Sequence, residues 1–231
     1  MLLGEGLSKV YGKLVALREV TIEVARGEIV VVLGPSGSGK TTLLNLLALL
    51  DRPSSGKVFL NGEEISRLPD TSAARLRNQH FGFVFQFFHL LPELTVWENV
   101  FLPLWIKYGS GGQVKTYRQE AENLLTKFAL THRKDAYPRH LSGGEMQRVA
   151  ICRSLVCHPQ IILADEPTGA LDRQAAQSLV ETIVRLNQEE KVTFLIATHN
   201  EMFLQIATKV VYLKDGRIEK TERISQPSTG E

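Results

Sequence analysis

Three short runs of the chain are almost wholly apolar: Ile29 to Leu33, Ile161 to Ala164 and Phe194 to Ala197. Continuous runs rich in β-branched residues predict strands covered on both faces, as in a parallel sheet. A stretch with helical patterning follows each, at Thr41 to Leu50, Arg173 to Glu189 and Glu201 to Ala207. That alternation predicts an α/β core. Other segments carry the signals of antiparallel pairing. Val20, Ile22 and Val24 alternate with polar residues, Lys57 to Leu60 runs into Asn61-Gly62, and Tyr212-Leu213 leads through Asp215-Gly216 to Arg217–Glu219. The last two are hairpin signals. From Thr95 to Val156 the pattern is helical, broken only at Gly109-Ser110-Gly111-Gly112, a flexible interruption. The economical organisation is a single domain over 1–231. Residues 1–86 and 158–231 form a core with an antiparallel β subdomain, and 87–157 form an inserted helical subdomain. Ser225 to Glu231 reads as a frayed tail, as chain ends commonly are.

Composition narrows the partners. At 43% hydrophobic and 23% charged residues, the chain reads as a soluble globular protein able to bury a real core. Its net charge is +2, with no long Lys/Arg run, which disfavours a nucleic-acid partner. The apolar run Leu43 to Leu50 is interrupted by Asn45 and falls far short of the ~20 residues a bilayer crossing needs. Met1 to Gly12 lacks the basic start and apolar middle of a secretory signal. Any action at a membrane is therefore expected to pass through a partner. Cys152 and Cys157 lack the paired spacing of a zinc site and read as buried free thiols.

The chemistry begins at Gly34-Pro35-Ser36-Gly37-Ser38-Gly39-Lys40-Thr41, a Walker A pattern between a predicted strand and a predicted helix. Glycines let successive backbone N–H groups point inward at phosphate oxygens. The helix start adds unpaired N–H groups and the positive end of its dipole. Lys40 would neutralise the β- and γ-phosphates, the Thr41 hydroxyl would bind magnesium, and Thr42 continues the phosphate-binding set. The apolar run at Ile161 ends in Asp165-Glu166. Alone, such a pair could be solvated turn residues. Beside a phosphate loop, Asp165 would hold magnesium and Glu166 would orient or deprotonate the attacking water.

Leu141-Ser142-Gly143-Gly144-Glu145, followed by Met146-Gln147-Arg148, resembles the signature motif of the ABC ATPases. The other landmarks of that family occur in order along nearly the whole chain. The resemblance implies a P-loop NTPase (RecA-like) core with an antiparallel β subdomain and an inserted helical subdomain, binding ATP and Mg2+. It implies that Tyr11 stacks on adenine, that Gln86 reaches magnesium and the attacking water, and that Asp172 marks the D-loop. It also implies that His199 contacts the γ-phosphate, and that Ser142, Gly143 and Gly144 contact ATP held by a second copy in a head-to-tail dimer. Glu145, where many relatives have Gln, and Cys152, where Ala is more usual, are departures that leave the ATPase intact. Ser142 also reads as an ordinary helix cap, which is compatible with that role.

The same resemblance implies integral membrane permease subunits as partners and a peripheral place on the cytoplasmic face of the cell (inner) membrane. Phe87, Phe88, His89 and Leu90 would line a groove for a coupling helix of the permease. Pro167 to Asp172, Leu76 to Gln79 and Phe87 to Pro92 look like the macrolide-exporter and lipoprotein-releasing group, which favours export or extraction. An importer ATPase, or a cell-division type ATPase that regulates a membrane partner without transport, remains open. The long insertions of DNA-repair members and the paired cassettes of translation factors are absent.

Overall fold

A computed structural model describes residues 1–109 and 114–224 of the chain. Strands β1 (Leu2–Tyr11) and β2 (Leu14–Val24) form an antiparallel hairpin. The apolar run becomes β3 (Ile29–Leu33), which feeds helix α1 (Lys40–Leu47). Next come β4 (Ser55–Leu60) and β5 (Glu63–Glu64), joined through Asn61 and Gly62, with Asn61 in the left-handed region at φ 53. Helix α2 (Asp70–His80) and β6 (Phe81–Phe85) follow.

The helical stretch holds α3 (Val96–Tyr108), α4 (Val114–Lys127) and α5 (Gly143–Leu155). Of the glycine-rich break only Gly109 is described, at φ 64 past α3. Its other residues, like the tail from Ser225, lie outside the described residues. The chain then returns through β7 (Ile161–Asp165), α6 (Arg173–Glu190), β8 (Thr193–Thr198), β9 (Lys209–Lys214) and β10 (Arg217–Arg223).

Two sheets result. One is antiparallel with order β2-β1-β4-β5, and the other has order β10-β9-β3-β8-β7-β6. In the second, β9, β3, β8, β7 and β6 run parallel, and only β10 is antiparallel. The continuous apolar runs are explained by burial on both faces. Val31, Ile162 and Ile196 face a core shared with α3, α4, α5 and α6, while Val30, Leu163 and Leu195 face one shared with α1 and the antiparallel sheet. Cys152 and Cys157 are buried and free, and burial raises both thiols, that of Cys157 to about 11.

Two expected helices are shorter than their patterns. The one starting at Thr41 stops at Leu47 because Leu49 turns left-handed at φ 56. Backbone N–H groups of Leu50 and Asp51 then both donate to the Asn45 carbonyl. Glu201 to Ala207 forms only a 3-10 helix, Glu201–Gln205, whose Phe203 wedges fully buried into the core. Among the described residues, no helix is long and apolar enough to cross a membrane.

Candidate active site

The turn from β3 into α1 carries half of the site. At Gly34 a Cβ would lie 2.1 Å from the Leu213 carbonyl oxygen, so any other residue would force β9 away. Gly39 caps α1 in the left-handed region at φ 103, and a Cβ there would lie 2.6 Å from the Ala16 carbonyl oxygen. These two glycines fit the loop between neighbouring strands while α1 presents its free N–H groups. Pro35 and Ser38 close the turn by a backbone hydrogen bond. A cleft of about 640 Å³ lies over the loop, lined by Tyr11, Ser36, Gly37, Gly39, Lys40, Thr41, Thr42 and Glu166.

Lys40 is buried. Its ammonium donates to the carbonyls of Gly34 at 2.8 Å and Pro35 at 3.1 Å, and it lies 3.4 Å from Glu166 Oε1. The loop thus holds its cation by its own backbone, within reach of the carboxylate at the end of β7.

Asp165 ends β7, and Glu166 follows in the left-handed region at φ 45, its N–H donating to the Ala197 carbonyl. This turn swings two adjacent carboxylates into different surroundings. Glu166 Oε1 lies 3.0 Å from His199 Nδ1, and Oε2 accepts from the Thr198 hydroxyl at 2.9 Å and from the His199 N–H at 3.3 Å. Burial pushes the Glu166 carboxyl up, but the bonds from His199 and Thr198 outweigh it and leave its pKa below the ordinary value. Asp165 goes the other way, raised by burial first and by the charge of Glu166, against the Thr41 hydroxyl. Its Oδ1 is buried with no hydrogen-bond partner among the described residues.

That orphaned oxygen, on a carboxyl at the end of β7 beside the phosphate loop, fits a magnesium ion, which takes oxygen donors from protein and phosphate together. A cation there would reverse the upward shift of Asp165.

Not every predicted site residue reaches the cleft. The Gln86 side chain lies over the turn after Glu166, where a Cβ on Gly169 would fall 2.7 Å from its Nε2. Ser142 caps α5 through a capping box with Glu145. Gly143 and Gly144 lie against Ala170 and Ala175 of the same chain, and none of these three lines the cleft. Asp172 caps α6, accepting the Ala175 N–H at 2.8 Å.

Between β6, α2, α3 and α5 lies a second groove, of about 380 Å³. Of Phe87, Phe88, His89 and Leu90, only His89 lines it. Phe87 is 69% exposed and Phe88 only 8%, so the expectation that Phe88 faces the groove is corrected. Phe88 and His89 both adopt positive φ, 60 and 47, and the Arg153 guanidinium takes both their carbonyls, at 2.6 and 2.5 Å. This fork lets two ordinary residues hold a glycine-like conformation and turns Phe88 inward. Thr198, Arg153 and Asp51, an acceptor for the Tyr11 hydroxyl, escaped the sequence reading. Nothing in their types sets them apart; only the fold brings them to their partners.

The description "ABC transporter" matches residues 17–169 of the chain. The chain is 45% identical over 219 residues to the lipoprotein-releasing system ATP-binding protein LolD of Coxiella burnetii, covering 93% of each. It is 42% identical over 216 residues to the protein of the same name from Bacteroides thetaiotaomicron, covering 94% of this chain and 98% of that one. Among solved structures, a bacterial ABC transporter cassette solved as a dimer superposes with a TM-score of 0.89 at 38% identity, covering 97% of this chain and 99% of that one. A match over most of the chain, the same fold and a phosphate loop facing a carboxylate at a strand end agree: the chain belongs to the ABC transporter ATPases, as an ATP-hydrolysing subunit in the group of the lipoprotein-releasing ATP-binding proteins.

Proposed function

We propose that two copies of the chain bind two MgATP between them, head to tail, and drive a membrane permease that extracts or exports its substrate. One observation carries the dimer: Ser142, Gly143 and Gly144 do not line the cleft of their own chain. They begin a helix whose free N–H groups suit an anion, and a second copy could bring them to the phosphates. A two-fold pair closes by symmetry, with the same two patches meeting twice.

In this reading Tyr11 takes the adenine, and Gly34, Pro35, Ser36, Gly37, Ser38, Gly39, Lys40, Thr41 and Thr42 take the phosphates. Thr41 and Asp165 hold magnesium, which screens phosphate charge and orients the transferred group. Glu166 orients the water and accepts its proton, and His199 holds Glu166 and faces the γ-phosphate. Gln86, at the turn after Glu166, senses the permease through the helical subdomain, taken as residues 87–157. Lys40 leaves its carbonyl partners for phosphate oxygens, which also frees Glu166 from a competing cation.

The energetics suffice. A ligand at about 100 times its dissociation constant stabilises the state it binds by about 2.7 kcal/mol. Two such sites supply about 5 kcal/mol, close to the ~5.5 that moves an equilibrium from 1:99 to 99:1. ATP binding can close the pair, and hydrolysis reopens it.

The curated relatives are named for a lipoprotein-releasing system, which supports extraction of lipoproteins, with the chain on the cytoplasmic face of the inner membrane. The groove beside His89 and Arg153, with exposed Phe87, Trp105 and Ile106 nearby on the helical side, offers the permease an apolar seat.

A cysteine pair tests the dimer. Ser36 and Ser142 are both exposed, and the buried native thiols, with raised pKa values, form a quiet background. With Ser36→Cys and Ser142→Cys combined, a mild oxidant such as copper phenanthroline should, in the presence of MgATP, produce a disulfide-linked dimer on a non-reducing gel. A link formed only within one chain would reject the head-to-tail arrangement.

A further inference from the structure

Where Tyr11 lines the cleft, two side chains of β1 converge on one carboxylate. Asp51 Oδ2 accepts the Tyr11 hydroxyl at 2.6 Å. Its Oδ1 accepts the Lys9 ammonium at 2.5 Å and the Arg52 N–H at 2.7 Å. Lys9 donates also to the Arg52 carbonyl at 2.6 Å, and its Nζ lies over the Tyr11 ring, 4.9 Å from the centroid. Thr42, from α1, lines the same cleft as Tyr11. Asp51 is itself fixed by the backbone bonds that end α1 at Asn45.

A tyrosine with 45% of its surface exposed would ordinarily turn about its side-chain bonds. Here the ring is fixed at both ends, at Cβ by β1 and at the phenol oxygen by Asp51. Lys9 Nζ lies over the ring, and Tyr11 also lines the cleft. Stacking rewards a face held at the right tilt, and ordering it beforehand avoids an entropic cost on binding.

We propose that Asp51 is a positioning residue for the nucleobase: through the Tyr11 phenol, braced by Lys9, it presets the aromatic face on which a purine stacks. This rests on the reading of Tyr11 as the base platform. It explains why the position is a tyrosine rather than a phenylalanine. It also ties the base end of the cleft to α1, whose first turn holds Lys40 and Thr41, so base and triphosphate meet one rigid unit.

The test compares ATP with inorganic tripolyphosphate, which lacks a base. Asp51→Ala should raise the KM for ATP about 3- to 10-fold, the range for losing one such hydrogen bond, with kcat little changed. Inhibition by tripolyphosphate should stay as it was. Tyr11→Phe, which keeps the ring and loses the tether, should raise KM by a similar factor, and adding Asp51→Ala to it should change little more. Asp51→Asn, which can still accept the phenol, should recover most of the loss. Thermal melting of each variant without nucleotide identifies any that fail to fold. If Asp51→Ala raises KM as much in the Tyr11→Phe background as in the parent, or weakens tripolyphosphate equally, Asp51 acts on the scaffold and the proposal falls. An Asp51→Ala protein with unchanged KM, beside a Tyr11→Ala protein with a raised one, overturns it while sparing the stacking reading. An unchanged KM in Tyr11→Ala overturns both.

Discussion

Glu166 Oε1 and His199 Nδ1 meet at 3.0 Å, while the Lys40 ammonium stands 3.4 Å from the same oxygen. The carboxylate is therefore held ready between an imidazole and a cation destined for phosphate. Glu166→Gln keeps the shape and removes the proposed base. Turnover should fall by about 10²- to 10⁴-fold with ATP binding retained, and size exclusion in MgATP should show a trapped dimer. Turnover at the parent rate would move the base elsewhere.

The pH profile should report the same contact. The bonds from His199 and Thr198 hold Glu166 below its ordinary pKa against burial, which acts upward. His199→Ala removes two of those contributions, the side-chain bond and the charge, and leaves burial. The Glu166 pKa then rises, and the acid limb of the kcat–pH profile moves to higher pH, with activity at neutral pH reduced about 10-fold or more. A limb that stays in place would mean the rate is not governed by this carboxyl.

Glu145 is held at a pKa of about 2, against an ordinary value of 4.5, chiefly by the Ser142 N–H it accepts in the capping box, with Arg133 adding its charge. A carboxyl whose folded pKa is lowered stabilises the fold above its unfolded pKa and loses that contribution as pH falls through the folded one. Glu145→Gln keeps a capping-box side chain and drops the titration. The unfolding free energy from urea titration should change by less than about 1 kcal/mol at pH 7. Between pH 4.5 and 2 the variant should lose less stability than the parent; an identical acid decline would show that other carboxylates set it.

Gly34→Ala tests the fit of the phosphate loop under β9. A methyl group 2.1 Å from the Leu213 carbonyl oxygen displaces backbone rather than a flexible side chain. The variant should be less stable by about 1–3 kcal/mol and lose measurable ATP binding, as followed by urea unfolding and calorimetry. Unimpaired binding would mean that loop and strand can part freely.

Much of this architecture is written in local patterns. The runs at Ile29, Ile161 and Phe194 announce buried parallel strands because burial on both faces demands unbroken apolar sequence. The phosphate loop, the Asp165-Glu166 pair and the capped start of α5 are likewise legible, since each is a contiguous motif with its own backbone requirement. Side-chain direction is a different matter. Phe87 and Phe88 are chemically identical neighbours, and only the positive φ of Phe88 and His89, clasped by Arg153 from a helix far along the sequence, puts one outside and the other inside. The stop of α1 at Leu47 depends on the left-handed Leu49, a conformation that leucine does not advertise. Asp51, Thr198 and Arg153 act through partners 40, 32 and 64–65 residues away, distances at which sequence patterns carry no signal.

Gly143 and Gly144 rest on Ala170 and Ala175, a few residues beyond Glu166. Within one polypeptide, the glycines that the proposed dimer turns toward the neighbour's nucleotide are thus built onto the segment leaving Glu166. In the proposed pair, a shift at either bond-breaking centre would be transmitted to the opposite one through these two abutments. Mixed assemblies carrying a single Glu166→Gln copy should consequently run well below half speed, because the idle side arrests its working neighbour.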